Sequence, residues 1–241
     1  MTYCVGLLLD EGMVLLSDTR TNAGLDNIAI YRKMFTFEEP GERVIAILTA
    51  GSLSVTQTTL ARLREAIDEP DASADSSIML APTMLKVAEI IGNTLASVRE
   101  DIDHKMNAAK VSVSASMIVA GQRRGGAMRL FLVYPEGNFI EATEDTPFLQ
   151  IGEHKYGKPI LDRVVRPATS LEDAQKAVLL SMDSTLRSNL SVGMPLDLAV
   201  IERDACRVTM RRRIEKEDPQ FAAMSQAWSE ALREGFTRIR L

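Results

Sequence analysis

Two apolar runs separated by a short acidic turn open the chain. The first covers residues 1–9 and the second residues 13–20, and Asp10-Glu11-Gly12 lies between them. Because both runs are rich in Val and Leu and the turn ends in Gly, the pattern predicts an antiparallel β-hairpin. Both alternating sets of side chains in the first run are largely apolar. This predicts a strand that is buried on both faces, inside a layered fold.

Blocks of strand and helix patterns follow the hairpin. A polar loop is predicted at 21–30 and an acidic, Ser-rich loop at 69–80. Apolar stripes at helical spacing predict one helix after Ser52 and one after Ser170, and two more at about 82–107 and 219–237. Strands are predicted at 33–38, 43–50, 112–121, 128–133, 139–143, 148–151, 195–201 and 206–210. Since no helix separates the strands from 112 to 151, we expect them to form one antiparallel meander.

Composition excludes several classes of function. The chain has 241 residues, 46% of them hydrophobic and 25% charged, which is ordinary for a globular protein with one large domain or two small ones. A net charge of −5 argues against a nucleic-acid partner. The basic run 211–213 does not change this, because the acidic run beside it offsets its positive field. No apolar run is long enough to span a membrane, and no signal peptide is recognisable at the start.

Cysteine and histidine usage points the same way. Cys4 and Cys206 lie in apolar surroundings without metal-ligand spacing, which is typical of reduced core thiols in a cytoplasmic protein. His104 and His154 are too few and too far apart for a metal site. We therefore expect a cytoplasmic protein without a metal or cofactor.

Thr2 is the residue with the most chemistry near the start. Met1 precedes a small residue, and its removal would leave Thr2 with a hydroxyl and a free α-amine together. An α-amine has a reference pKa of about 7.7 to 8.0, so it can accept the hydroxyl proton near neutral pH. A nearby cation would favour the neutral amine, and Lys33, held by Asp18, is the candidate. Pairing back along the hairpin places Thr2 opposite residues near Arg20 and diagonal to Asp18.

An ordinary structural interpretation of the same residues stays open. A threonine near a chain start is commonly a plain strand residue, and the segment 17–20 reads as a solvated strand end. Single motifs have a high false-positive rate, so on these features alone the ordinary interpretation is favoured.

An ordered set of motifs resembles the proteasome β-subunit family over residues 2 to about 202. The motifs are Thr2-Tyr3-Cys4-Val5-Gly6, Ser17-Asp18-Thr19-Arg20, Lys33, Thr49-Ala50-Gly51-Ser52, Ala120-Gly121 and Arg187-Ser188-Asn189-Leu190-Ser191-Val192-Gly193. Two further segments, 151–159 and 181–184, are most similar to the bacterial branch called Anbu. The segment beyond about residue 215 lies outside the core resemblance.

The resemblance implies a fold and a set of roles. The fold is α+β, a four-layer α/β/β/α sandwich of two antiparallel sheets, as in N-terminal nucleophile hydrolases. We expect this domain at 1–215 and a C-terminal helical extension at 216–241. Thr2 would be the nucleophile, Asp18 and Lys33 its electrostatic support, and the amide of Gly51 part of an oxyanion hole. Locally, a plain strand-to-helix turn explains Gly51 equally well.

Three positions bear on the supporting residues. Ser191 matches the family pattern, whereas Ser188 stands where an aspartate is usual. Glu153 follows a glycine where active subunits usually carry a serine; we favour a structural or electrostatic role for it over contact with the terminal amine. Asp183 is a possible substitute for the missing aspartate, but it lies five residues before Ser188 on a helix and is expected to face elsewhere.

These inferences predict a threonine peptidase subunit that acts on peptides or unfolded proteins and assembles with copies of itself into a ring or an open spiral. Two alternatives remain open: a catalytically weak scaffold subunit, which the departures at 153 and 188 favour, and an amidohydrolase of the same fold. The sequence leaves undecided whether an ATP-dependent unfoldase is a partner.

Overall fold

The structure is a computed structural model and describes residues 2–22, 28–106 and 113–240. The strands of this part are β1 (Tyr3–Leu8), β2 (Gly12–Asp18), β3 (Arg20–Asn22), β4 (Ile28–Ile30), β5 (Met34–Glu39), β6 (Arg43–Gly51), β7 (Ala115–Arg123), β8 (Arg129–Val133), β9 (Phe139–Glu141), β10 (Phe148–Gly152), β11 (Leu196–Glu202) and β12 (Met210–Ile214). Its helices are α1 (Leu53–Asp68), α2 (Met84–Met106), α3 (Lys158–Val164), α4 (Leu171–Ser188) and α5 (Pro219–Arg238).

Two five-stranded sheets form the centre of the molecule. The strand order is β10-β1-β2-β11-β12 in the first sheet and β5-β6-β7-β8-β9 in the second. All of their strand pairs are antiparallel. β5 and β12 are therefore edge strands, one in each sheet.

Three apolar layers hold these elements together. One lies between the two sheets, one between the second sheet and helices α1 and α2, and one between the first sheet and helices α3 and α4. The arrangement confirms the predicted four-layer α/β/β/α sandwich. Each sheet is dry on both faces, which explains why its central strands are apolar at successive positions.

The first strand shows this alternation directly. Tyr3, Val5 and Leu7 pack toward α3 and α4, whereas Cys4 packs between the sheets. Each of these side chains is fully buried. The prediction of a strand buried on both faces is thus confirmed.

The register of the hairpin differs by one residue from the prediction. Cys4 lies opposite Ser17 and Leu8 opposite Met13. The turn is shorter than the acidic segment suggested, because the amide of Leu9 already bonds the carbonyl of Gly12 at 2.8 Å. Tyr3 rather than Thr2 therefore comes next to Asp18 across the hairpin.

Three predicted segments take a different place in the fold. β10 does not complete the meander; it crosses to the first sheet and pairs with β1. The final strand lies at 210–214, later than the predicted 206–210, so the three arginines are part of β12. The predicted loop at 21–30 includes strands β3 and β4, which pair with each other, while its residues 23–27 lie outside the described part.

The C-terminal helix α5 packs on α4 through its first half. Ser225 is its buried residue and donates a hydrogen bond to Asp183 of α4 at 2.7 Å. Its second half is exposed: Leu232 is 53% and Phe236 80% exposed. Ile239, which directly follows the helix, is 75% exposed. The domain boundary at residue 215 stays a prediction. Among the described residues, no helix is both long and apolar enough to cross a membrane.

Candidate active site

Asp18 is the residue around which the site is built. It ends β2, is fully buried, and accepts three hydrogen bonds from described residues. Its Oδ1 accepts from the amide of Tyr3 at 3.1 Å and from Lys33 Nζ at 2.7 Å, and its Oδ2 accepts from the amide of Gly193 at 3.2 Å. The carboxylate thereby joins the first strand, the residue before β5 and the segment before β11.

Lys33 is held from both of its ends. Its Nζ donates to Asp18 and to the carbonyl of Arg20, the latter at 2.5 Å. Its own carbonyl accepts from the amide of Thr49 at 2.9 Å. The side chain is almost completely buried. An ammonium placed in this way is a fixed positive charge rather than a mobile surface group.

Burial and charge act in opposite directions on Asp18. Burial raises the pKa of Asp18 above its ordinary value, whereas the Lys33 ammonium and the amides of Tyr3 and Gly193 oppose this rise. A carboxylate that accepts three hydrogen bonds, one of them from an ammonium, is a suitable anchor for a buried lysine.

Thr2 directly precedes β1 and is 7% exposed. Its carbonyl accepts a hydrogen bond from the amide of Glu153 at 2.7 Å, and the β1–β10 ladder continues directly from it with Tyr3 opposite Gly152. Gly152 has a φ of +80°, and a Cβ there would lie 1.9 Å from the Thr2 carbonyl oxygen. Only glycine fits this position, so the backbone of 152–153 determines where Thr2 lies.

Tyr3 adds a second anchor for the same strand. Its hydroxyl lies 2.6 Å from Ser181 Oγ on α4 and accepts from Gln150 Nε2 at 2.6 Å. Burial raises the pKa of Tyr3 to about 12, so the phenol stays protonated and can act as a donor. The start of the chain is thus bound to the sheet through its backbone and to the helical layer through a side chain.

A pocket of about 290 Å³ opens beside Thr2. Thr2, Lys33 and Gly51 all line it. Gly51 ends β6 with a φ of +106°, and a Cβ there would lie 2.4 Å from the carbonyl oxygen of Ser114. The backbone of Ser114 and Ala115 therefore requires glycine here, and this exposed turn into α1 lines the same pocket as Thr2.

Three further candidates were Ser188, Ser191 and Glu153. Ser188 is exposed at the end of α4, and Ser191 is partly buried with its amide bonded to Asn189 Oδ1 at 2.9 Å. From this segment it is the Gly193 amide that reaches Asp18. Glu153 is half-buried, and the contact it makes with Thr2 is through its backbone amide. Both the Ser188 and the Ser191 roles stay predictions.

Asp183 faces away from the site, as expected. Its Oδ1 accepts from Ser225 Oγ and its Oδ2 from Arg187 Nε at 3.1 Å. Within the described residues, no group of three or more His, Cys, Asp and Glu side chains is placed to hold a metal ion.

Several contacts were not predicted from the sequence. These are the amides of Tyr3 and Gly193 on Asp18, the amide of Glu153 on Thr2, and the pocket-lining side chains of Thr21, Arg32, Thr49 and Thr56. Gly193 belongs to a quoted motif, and Arg32 directly precedes Lys33. The sequence analysis therefore singled out the segments that contain Gly193 and Arg32, but it did not predict the contacts of these two residues.

Comparison with known proteins identifies the family of the chain. The sequence model of the family described as "Proteasome subunit" matches residues 2–201. The structure of an Anbu (Gly-1) mutant from Hyphomicrobium sp. strain MC1 is 47% identical, with 100% of this chain and 99% of that chain covered and a TM-score of 0.93. Anbu (ancestral beta-subunit) from Yersinia bercovieri is 39% identical, with 99% and 97% covered and a TM-score of 0.91. No curated protein matched the chain.

A third solved structure bears on assembly. It is named as the helical assembly of the Anbu complex from Pseudomonas aeruginosa. Its chain is 42% identical to this one, with 99% of this chain and 97% of that chain covered and a TM-score of 0.91.

Proposed function

The chain belongs to the proteasome subunit family, in its Anbu branch, and from this premise we propose that it is a peptidase with Thr2 as its N-terminal nucleophile. The observation that carries the proposal is the buried Asp18–Lys33 pair, whose lysine lines the same open pocket as Thr2. A buried ion pair adds little stability compared with apolar residues of similar size. A lysine fixed next to a nucleophile therefore favours a chemical role.

Removal of Met1 would convert the amide nitrogen of Thr2 into a free amine. The Thr2 hydroxyl then attacks the carbonyl carbon of a peptide bond while the α-amine takes the hydroxyl proton, directly or through a water. The positive charge of Lys33 disfavours protonation of this amine, so that it is available as a base. Asp18 holds the ammonium in place and does not take the proton itself.

The tetrahedral intermediate carries a negative oxygen, and we assign its stabilisation to the Gly51 amide. One such donor is worth about 3 kcal/mol in the transition state. Collapse of the intermediate expels the amine half of the substrate with the proton from the α-amine and leaves an ester on Thr2. A water activated by the same α-amine then hydrolyses the ester and restores the hydroxyl.

An intact-mass measurement on the purified protein tests this function. We expect the mass of the chain without Met1, and one adduct after incubation with a peptide epoxyketone. Thr2→Ala should abolish the adduct, whereas Thr143→Ala, which changes an exposed threonine, should leave it unchanged. A retained methionine with no adduct on the wild-type protein would contradict a peptidase.

Self-association is the second part of the proposal. Leu232, Phe236 and Ile239 are large apolar residues that are exposed in or just after the second half of α5, and exposed apolar surface commonly marks interfaces. The Pseudomonas aeruginosa relative forms a helical assembly, so we propose an open spiral of identical subunits rather than a closed ring. Mass photometry of the wild type and of Phe236→Glu tests it; a monomer for both would contradict it.

Self-association without hydrolysis defines the alternative scaffold function, which the exposed, non-acidic Ser188 favours. It is distinguished by oligomers that form without an epoxyketone adduct. An amidohydrolase of the same fold would instead cleave small amides but no peptides.

The two cysteines are buried free thiols, as is usual in a reducing compartment, and we therefore propose a cytoplasmic site of action.

A further inference from the structure

Two cavities meet at Arg32. One is the pocket of about 290 Å³ that contains Thr2, Lys33 and Gly51. The other is a larger groove of about 550 Å³, which runs between the edge strands β5 and β12 and the end of α1. Arg32 lines both of them.

The groove is strongly basic, but most of its arginines are already paired. Its charged lining consists of Arg32, Arg64, Arg211, Arg212, Arg213, Asp68 and Asp197. Arg211 bonds Glu38, Arg212 bonds Asp218 at 2.7 Å, and Arg213 bonds Asp197 at 2.9 Å. These three guanidinium groups are neutralised by the protein itself.

The two other arginines differ from each other. The Arg64 guanidinium lies over the ring of Phe35, 5.5 Å from its centre, and Asp68 follows one turn later on the same helix. Arg32 is exposed, and among the residues that the structure describes it has neither an ion pair nor a side-chain hydrogen bond. Arg32 thus presents a full positive charge to both cavities.

Among the residues that the structure describes, no acidic side chain lines the pocket beside this charge. Lys33 is paired with Asp18, and the rest of the lining is neutral and mostly small: Thr2, Thr21, Thr49, Ala50, Gly51, Ser52, Leu53 and Thr56. A guanidinium prefers the planar, bidentate contact that a carboxylate offers. The favoured ligand next to Thr2 is therefore an acidic side chain rather than a basic or a large apolar one.

We propose that Arg32 is a specificity-determining residue, and that it selects peptides carrying an acidic side chain next to the bond that Thr2 attacks. The inference rests on the proposed peptidase function, because it assigns the substrate of the same site. Since the pocket is open to water, the contact is partly screened and depends on salt. We expect it to discriminate about tenfold, not more, between an acidic side chain and its neutral isostere.

Peptide binding to the Thr2→Ala protein tests this without any need for hydrolysis. The probes are two fluorescein-labelled hexapeptides, identical except that one carries three central Glu residues and the other three Gln residues. Fluorescence anisotropy should give about tenfold tighter binding of the Glu peptide at 50 mM salt or below, and a smaller difference at high salt. Adding Arg32→Gln should remove the difference, whereas adding Arg64→Gln, a change confined to the groove, should keep most of it.

Equal binding of the two peptides, absence of saturable binding of the Glu peptide, or a Glu preference that survives Arg32→Gln would each overturn the inference. The outcome is separate from that of the mass measurement. An epoxyketone adduct without a Glu preference overturns the role of Arg32 alone. A Glu preference that depends on Arg32, without an adduct, leaves a peptide-binding site and contradicts the peptidase.

Discussion

Asp18 and Lys33 are joined by a contact of 2.7 Å between carboxylate and ammonium, in a place where water reaches almost none of either side chain. Two backbone amides complete the surroundings of the carboxylate. The pair thus connects the hairpin, the entry to β5 and the segment before β11. Any change at this point alters both the stability of the fold and the position of the ammonium.

Replacing Asp18 by Ala should destabilise the protein by about 3 to 5 kcal/mol, because it leaves a buried ammonium without its anion. Urea unfolding followed by circular dichroism measures this. Asp162→Ala is the matched control, since Asp162 pairs with Lys158 at 2.6 Å on the surface and should cost less than about 1 kcal/mol. Similar losses for both variants would show that the buried pair is not exceptional.

Replacing Lys33 by Ala should slow epoxyketone labelling of Thr2 by at least about a hundredfold, the size of effect expected for a fixed electrostatic group in an active site. The initial rate of adduct formation by mass spectrometry is the measurement. Lys158→Ala, which removes an exposed lysine, should label at the wild-type rate. Labelling of the Lys33 variant at a normal rate would remove this residue from the proposed mechanism.

A methyl group at Gly152 should displace Thr2. The added Cβ would lie 1.9 Å from the Thr2 carbonyl oxygen, so the strand pair must move, and we expect both lower stability and slower labelling. Gly125→Ala is the control, because Gly125 also has a positive φ, +68°, but no atom lies within 4 Å of its added Cβ. The free energy of unfolding should fall by at least about 2 kcal/mol more in the Gly152 variant than in the Gly125 variant, because the latter is destabilised only by its backbone conformation.

Removing the Ser225 hydroxyl should loosen α5. Ser225→Ala deprives buried Asp183 of a donor and Arg187 of one of its two acceptors, at an expected cost of about 1 to 3 kcal/mol. Hydrogen exchange should become faster in residues 219–238, while β1 and β2 keep their protection. Ser229→Ala, which removes a hydroxyl bonded to the backbone of its own helix, is the control. Unchanged exchange in α5 would argue against this contact as its anchor.

Neither cysteine should react in the native protein at pH 8.5. Burial raises the pKa of the Cys4 thiol and that of the Cys206 thiol, so that at a given pH less of each is present as the reactive thiolate. A thiol reagent such as DTNB should find no group in the native state and two groups in guanidinium chloride. Rapid reaction of one thiol in the native protein would contradict the burial of that residue.

The sequence predicted the site in part. Thr2, Asp18 and Lys33 were expected together, but the hairpin register was off by one, since nothing in the segment 10–12 decides which residues close the turn. The contact of Gly193 with Asp18 joins residues 175 positions apart, and the role of the Glu153 amide depends on β10 leaving the meander for the first sheet. Local patterns carry no information on such partners.

By itself, the sequence predicted most of the strands and helices, though not α3 or the β3–β4 pair, and it predicted which faces they bury and that one threonine stands just before the first strand. The reason is physical: the two-residue repeat of a strand and the 3.6-residue repeat of a helix are written in neighbouring positions. Only the tertiary structure decided which strands pair, which amides meet Asp18, and that Arg32 lies where two cavities join. Those relationships arise from packing between segments that are far apart in the sequence, so local sequence patterns do not contain them.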